Sequence, residues 1–359
     1  MKRVAALCLA CCLLFCGCAN MFDGSYVSVT PHKGQTSRPI SQTFSARNYS
    51  QLCQVLKDIF HSGTTESLIT LANYNQVTFE REDMERALQT ILKEDPIAAY
   101  AVDSVSFDLI TSQGQPAVLM AVSFSHDRTE IQKIQKVEDE TAAKAVIAAE
   151  LSRYSTGFVL HVKNADSWDY AQWVEDYGAL HPETVMEVPT VTVNLYPQEA
   201  TEQVVELKFN YQHSRDSIRE MQTKVEPIFA AAELYISGSN GEREKYAQLY
   251  AFLIERFESY TLQTSITPAY SLLMYGVGDS RAFANVYGAM CRRAGIECIT
   301  ISGTRWGEAW HWNLVEVGGV YYHLDLLGSH RNGAFRLYTD EQMAGYVWNY
   351  AEYPASATS

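Results

Sequence analysis

The stretch "GTRWGEAWHWNLVEVGGVYYHLDLLGSH", Gly303 to His330, decides the fold of the last third of the chain. Apolar and polar residues alternate on both sides of Gly318-Gly319. This pattern predicts two antiparallel strands, residues 309–317 and 320–326, joined by a two-residue turn. Val317 then opposes Val320, which fixes the pairing of every other residue in the hairpin.

This register places one aspartate beside two tryptophans. Counting back from the turn brings Trp312 opposite Asp325, with Trp310 as a diagonal neighbour on the same face. His311 points to the other face, because side chains alternate along a strand. His323 precedes Asp325 by two residues and lies opposite Leu314.

A second stretch, "YGVGDSRAFANVYGAM" from Tyr275 to Met290, predicts a helix that begins at Ser280. Asp279 stands before its first turn, and Gly295 ends it. Ser280 is therefore expected at the positive end of the helix dipole, where a thiol would become a strong nucleophile but a hydroxyl gains far less. Apolar residues at helical spacing predict its buried face: Phe283, Val286, Tyr287, Met290 and Ala294.

The region from about Tyr246 to Gly328 resembles the transglutaminase-like superfamily, which shares its core with papain-type cysteine proteases. The matching features are a helix after a glycine-containing turn, a "GI" step into a strand, and the strands "HWNLVEV" and "VYYHLD". The resemblance implies an α+β fold in which the helix that bears the nucleophile packs on an antiparallel sheet. It also implies a Cys-His-Asp triad.

Residue-by-residue carry-over of that triad gives Ser280 for the cysteine, Trp310 for the histidine and Asp325 for the aspartate, with His311 in the spacer position. A general base supplies about 10²–10⁴ in rate and acts as a unit with its nucleophile. Having lost both, the domain is expected to be inactive and to act by binding. The residues around these three positions are expected to form a cleft lined by Trp312, Asn313 and His323.

Two alternatives remain open at this point. A bulge that shifts the strand by one residue would bring His311 into the base position, giving an active amide-bond hydrolase or transferase that uses Ser280, His311 and Asp325. In the other, Asp325 is structural and accepts a hydrogen bond from the indole of Trp310 or Trp312. Trp310 would then fill the cleft or offer an aromatic platform for a sugar or a peptide.

The middle of the chain carries an internal repeat. "AVSFSHDRTEIQKIQ" aligns with "KFNYQHSRDSIREMQ", so that His126 meets His213 and Arg128 meets Arg215. The surrounding periodicities predict two αβαββα units, residues 45–138 and 139–228, ahead of a domain at 229–359. The repeated histidines and arginines are interpreted as local partners at strand and helix ends.

The N-terminus resembles a bacterial lipoprotein signal. Lys2 and Arg3 precede an apolar run that ends at Cys18, so residues 1–18 are expected to be a signal peptide with Cys18 as the lipidation site. Ordinary cleavage or a short N-terminal anchor are the alternatives. Residues 19–44 are rich in Ser, Thr, Pro and Gly, which is typical of a flexible tether. These features predict a lipid-anchored protein on the extracytoplasmic face of the cell membrane.

The composition narrows the classes of partner and cofactor that the protein is expected to bind. The formal net charge of −14 argues against nucleic acid as a partner. Beyond the signal, only Cys53, Cys291 and Cys298 remain, without a CxxC pair or zinc spacing, so neither a metal nor a cofactor is expected. The expected partners are the membrane, through the anchor, and a cell-wall peptide or surface protein. The sequence does not indicate an oligomeric state.

Overall fold

A computed structural model describes residues 42–71, 74, 81–165, 168–236, 238, 241–259, 267–331 and 334–357. The predicted signal peptide, Cys18 and nearly all of the predicted tether lie outside these residues. The described part of the chain contains no helix that is both long enough and apolar enough to cross a membrane. Its residues group into two compact units, one formed by those up to Gln135 together with Tyr196–Val204, and the other by those of Lys136–Leu195 together with those from Val205 onward.

The first unit contains a four-stranded sheet in the order β1-β2-β4-β3. Its strands are β1 Gln42–Ser45, β2 Glu66–Thr70, β3 Val102–Ser112 and β4 Gln115–Phe124. Its helices are α1 Tyr49–Ser62, α2 Arg81–Glu94, α3 Pro96–Ala101 and α4 Arg128–Gln132. The prediction placed residues 42–44 in the tether and began the unit with a helix, whereas strand β1 runs parallel to β2 and forms the sheet edge. Four residues are too few for a periodicity to identify.

Helix α1 illustrates how the first core forms. Asn48 caps its start by accepting a hydrogen bond from the Gln51 amide, and Gly63 ends it in the left-handed conformation. Between these caps, apolar residues at helical spacing pack on the sheet. The buried set includes Leu52, Leu56, Ile59 and Phe60 from the helix, and Ile69, Val118 and Met120 from the strands.

A second four-stranded sheet has the order β5-β6-β8-β7. Its strands are β5 Gln135–Val137, β6 Gly157–Val162, β7 Thr190–Tyr196 and β8 Gln203–Asn210, and its helices are α5 Glu140–Ser152, α6 Tyr170–Leu180 and α7 Arg215–Tyr235. Both sheets thus share one strand order, with a short first strand at the edge. The internal repeat itself stays a prediction.

The histidines and arginines of the aligned segments lie where strands give way to helices. Arg128 begins α4 after the N-cap Asp127, and Arg215 begins α7 after the N-cap Ser214. His126 stacks on Tyr100 with ring centroids 4.0 Å apart. In the second copy, His213 Nδ1 lies 2.9 Å from the Glu187 carboxylate. Each histidine therefore contacts a group close to the end of its own strand.

In the C-terminal region, one of three helices packs against a third sheet of order β13-β12-β11-β14, and the other two pack on that helix. The helices are α8 Glu242–Arg256, α9 Pro268–Tyr275 and α10 Ser280–Arg293, with a two-residue parallel pair formed by β9 Glu258–Ser259 and β10 Val277–Gly278. The sheet strands are β11 Cys298–Arg305, β12 Glu308–Val317, β13 Val320–Leu324 and β14 Tyr346–Val347. Short helix α11, Leu326–Arg331, follows β13. Cys291 and Cys298 of this region are free thiols, as is Cys53 of the first unit.

The predicted hairpin register is confirmed. Val317 pairs with Val320 and Leu314 pairs with His323, across a turn whose two glycines have φ of 63° and 81°. Those left-handed angles are why the turn requires glycine at both positions. The register sends successive side chains of β12 to opposite faces, one toward α10 and one toward the C-terminal tail.

Each face of this sheet has its own covering. On one face, the amide of Asn313 donates to the Ala284 carbonyl of α10 at 3.0 Å. On the other, Trp312 packs in a separate core with Ile301, Leu314, Met343 and Trp348. The tail after residue 340 supplies part of that core and also adds β14 to the edge of β11. The sheet is therefore buried on both sides, which fixes the position of β12 above the start of α10.

Candidate functional site

Helix α10 begins at Ser280, as predicted. Asp279 caps it, with its carboxylate accepting a hydrogen bond from the Ala282 amide at 2.9 Å. Ser280 is the first helical residue and is 8% exposed. Its Oγ accepts a hydrogen bond from the backbone amide of His311 at 3.2 Å. The hydroxyl therefore ties the helix start to strand β12, and the group that approaches it is an amide donor rather than a base.

Trp310 occupies the position beside the aspartate. Its indole Nε1 donates to Asp325 Oδ2 at 3.0 Å. An indole has one N–H donor and no ring nitrogen able to accept a proton, so it cannot take a proton from Ser280. Of the two tryptophans that sequence offered as partners of Asp325, only Trp310 makes this bond.

Asp325 is 2% exposed and fully engaged. It also accepts from the Gly328 amide at 2.9 Å and from the Tyr346 hydroxyl. The Arg305 guanidinium lies 3.7 Å away, and it also covers the rings of Trp310 and Tyr346. Burial, together with the neighbouring Asp325 charge, raises the pKa of Tyr346 far above its ordinary value. Tyr346 is therefore a lasting donor to Asp325.

His311 lies on the helix side of β12. Among the described residues, its imidazole makes no hydrogen bond, whether to Ser280, to Asp325 or to any other group. Burial lowers its pKa below the ordinary value, and the positive charge of Arg281 lowers it further. The ring is thus neutral at pH 7. The alternative that required a bulge in β12 is wrong at this point of the strand, since Ser302 pairs with His311 and Gly303 with Trp310 in unbroken register.

The structure buries Trp312, Asn313 and His323, which were expected to line a cleft. The Trp312 indole donates to His323 Nδ1 at 2.9 Å rather than to Asp325. His323 Nε2 lies 2.7 Å from Asp340 Oδ1. Because Nδ1 accepts the indole proton, Nε2 must carry the imidazole hydrogen and donate it to Asp340. Trp312, His323 and Asp340 thus form a chain of hydrogen bonds beneath the tail.

This arrangement predicts a pH dependence of stability. Burial lowers the pKa of His323 below its ordinary value, although Asp340 offsets part of that shift. The unfolded chain therefore binds a proton before the folded one does as the pH falls below about 6.5. The stabilisation from neutral His323 is present above that pH and is lost as the pH falls toward the lowered folded-state pKa.

Chemical denaturation between about pH 7.5 and pH 5 will check this expectation. We expect the free energy of unfolding to fall across this interval, and His323→Gln to remove most of that fall. Because the His311 pKa is lowered in the same sense, His311→Gln is the matched control and should leave the His323 part in place. A wild-type protein that gains stability toward pH 5 would contradict the prediction.

Two partners of the aspartate could not have been found from sequence. Arg305 and Tyr346 meet because β11 pairs with β14, with Arg305 opposite Tyr346. A two-residue strand leaves no periodicity to read. The only hint in the sequence was the density of aromatic residues in the tail, "MAGYVWNYAEYPASATS".

The class that this fold defines is an α+β domain in which helix α10 packs on an antiparallel sheet. Residues 230–349 match the family model of the transglutaminase-like superfamily, so the chain contains a transglutaminase-like domain. No curated protein matches the chain.

Three solved structures resemble the chain at low identity. A candidate cysteine protease from Cytophaga hutchinsonii is 11% identical over 44% of this chain and 70% of its own, with a TM-score of 0.27. A TGase is 9% identical over 78% of both chains, with a TM-score of 0.26. A candidate protease from Parabacteroides distasonis is 10% identical over 72% of this chain and 39% of its own, with a TM-score of 0.24. The family assignment rests on the match at residues 230–349.

Proposed function

We propose that the transglutaminase-like domain of this protein is catalytically inactive and acts by binding a peptide, a cell-wall component or another surface protein. The hydrogen bond from Trp310 Nε1 to Asp325 carries the proposal. Trp310 stands at the position that corresponds to the triad histidine and bonds to Asp325, but its indole cannot accept a proton. In addition, the hydroxyl of Ser280 is much less acidic than a cysteine thiol and is therefore harder to activate as a nucleophile.

The proposal includes attachment to the extracytoplasmic face of the cell membrane through a lipid on Cys18. Its support is the N-terminal pattern of Lys2 and Arg3, an apolar run and a cysteine preceded by glycine. A single cysteine-linked anchor would hold the folded units near the membrane through the polar segment that follows. Partition of the full chain into detergent, with loss of that partition in Cys18→Ala, tests this part.

A second candidate is an active amide-bond hydrolase or transferase that uses Ser280, His311 and Asp325. In its favour, the His311 backbone amide donates to Ser280, and burial lowers the pKa of the His311 imidazole. A working base, however, must lie within hydrogen-bond reach of the proton that it removes. The His311 ring bonds neither Ser280 nor Asp325 within the described residues, so we rank this candidate second.

The deciding experiment restores the missing groups. Wild type, Ser280→Ala, Ser280→Cys and the double variant Ser280→Cys/Trp310→His are assayed with a peptide amide substrate and with a glutamine peptide plus a primary amine. We expect wild type and Ser280→Ala to be equally inactive. In the double variant, the introduced imidazole beside Asp325 should lower the pKa of the introduced thiol and give measurable acyl transfer.

Alkylation separates this outcome from misfolding. Mapped by mass spectrometry, iodoacetamide labelling of the thiol introduced at position 280 should reach its half-maximal rate at a lower pH in the double variant than in Ser280→Cys. Turnover by wild type that disappears in Ser280→Ala would refute the proposal and favour the hydrolase.

A further inference from the structure

A cavity of about 210 Å³ lies within the second compact unit. One wall comes from α6 and the segment after it, including Glu175, Ala179 and Glu187. The start of α10 also lines the cavity, through Arg281 and Asn285. The two α10 residues are four apart and share one helix face. Ser280 does not line the cavity, because its Oγ faces the backbone of β12.

Arg281 gives the cavity an uncommitted positive charge. It is half-buried, and its guanidinium makes neither a hydrogen bond nor an ion pair with any residue that the structure describes. Arg292, further along α10, is committed differently, because it holds Glu183 at 3.0 Å. A free guanidinium presents a planar set of donors that matches a carboxylate.

Asn285 gives the same wall an unfilled acceptor. The residue is 5% exposed, and its Nδ2 donates to the Ala179 carbonyl at 2.8 Å. That bond fixes the amide orientation and leaves Oδ1 without a partner among the described residues. A buried acceptor left unpaired is disfavoured, and an unseen water or ligand is a frequent explanation for one. Oδ1 itself exposes almost no surface, so a donor reaches it only if a neighbouring group shifts.

Two glutamates also line the cavity. Glu187 is 5% exposed and is held by the His213 ring at 2.9 Å and by the backbone amides of His213 and Gln212. Glu175 is exposed at the rim. A simple anion at Arg281 would meet these carboxylates, and a simple cation near them would meet Arg281. The two charges together favour a ligand that carries both signs over a short span.

We propose that this cavity binds the zwitterion of a free α-amino acid, with the carboxylate against Arg281 and the ammonium group toward the glutamates. The inference rests on the proposed binding function and adds a ligand class to it, free amino acids, with a place of its own. The volume suits a ligand of this size, because typical pockets for larger organic ligands have about 300–1,000 Å³. Helix α6 and the segment after it thereby supply part of the binding site.

Calorimetric titration of the full chain tests this with glycine, L-alanine, D-alanine and L-glutamate. Propionate, ethylamine and the dipeptide Ala-Ala serve as comparison probes. We expect at least one amino acid to bind with Kd on the order of 10 μM to 1 mM, and the comparison probes to bind at least about tenfold more weakly. Equal binding of propionate, or preference for the dipeptide, would overturn the zwitterion assignment.

Variants locate the binding. Arg281→Gln should weaken it at least about tenfold, since hydrogen bonds to charged groups exceed about 1.4 kcal/mol. Arg281→Lys should retain part of the affinity. The matched control is Arg243→Gln, which removes the same charge from the exposed face of α8. Binding that survives Arg281→Gln, or no binding of any amino acid to folded protein, refutes the inference. These outcomes are independent of turnover at Ser280, so this inference and the proposed function can fail separately.

Discussion

Replacing Asp325 with alanine should lower the free energy of unfolding of the C-terminal domain by about 3–5 kcal/mol. The carboxylate is buried and accepts from Trp310, Tyr346 and the Gly328 amide. Removing it leaves those donors unpaired in the interior, and each unpaired donor costs about 1–3 kcal/mol. It also leaves the Arg305 guanidinium beside an apolar gap.

Urea denaturation monitored by tryptophan fluorescence will measure this loss. Asp325→Asn is the matched control, because the amide keeps the shape and one acceptor oxygen while it removes the charge. It should cost clearly less than alanine. If Asp325→Ala unfolds at the same urea concentration as wild type, the carboxylate does not organise this part of the fold, and the structural interpretation of Asp325 is wrong.

Trp312→Ala should cost a similar amount, about 3–5 kcal/mol, for a different reason. Trp312 is 0% exposed and lies among Ile301, Leu314, Met343 and Trp348. Its truncation opens a large cavity between the sheet and the tail. It also removes the donor to His323 Nδ1, which leaves a buried ring nitrogen unpaired.

The same sheet offers a close control. Trp306 lies in the turn between β11 and β12 and is 74% exposed, so Trp306→Ala should change the free energy of unfolding by less than about 1 kcal/mol. Circular dichroism and urea midpoints of the two variants give the comparison. Equal losses at both positions would mean that the tail does not cover the sheet as described.

The sequence predicted the parts of the site that depend on short-range rules. Alternation on both sides of two glycines was enough to pair Leu314 with His323 and to send Trp310 and His311 to opposite faces. A capping residue was enough to predict that α10 begins at Ser280, and a glycine was enough to predict where it ends. These features depend on neighbours a few residues away, where periodicity and turn chemistry are informative.

The features that were missed depend on contacts between distant segments. Nothing local marks β1, β5 or β14 as strands, because each is completed by a partner strand elsewhere. The sequence likewise did not predict that Trp312 donates to His323 rather than to Asp325. This bond depends on Asp340, which accepts from the far side of the imidazole and fixes its tautomer. Tertiary pairing, rather than propensity, decides such cases.

The contacts of Asp325 with Tyr346, Arg305 and Gly328 affect how catalytic activity should be inferred for related chains. An aspartate held by the hydroxyl of a tail residue and by the amide of the next turn is expected to stabilise the fold, whether or not a histidine bonds to it. Finding an acid at this point in a sequence is therefore poor evidence of turnover. Positions 280 and 310 are the better test, because a nucleophile and a base would have to stand there.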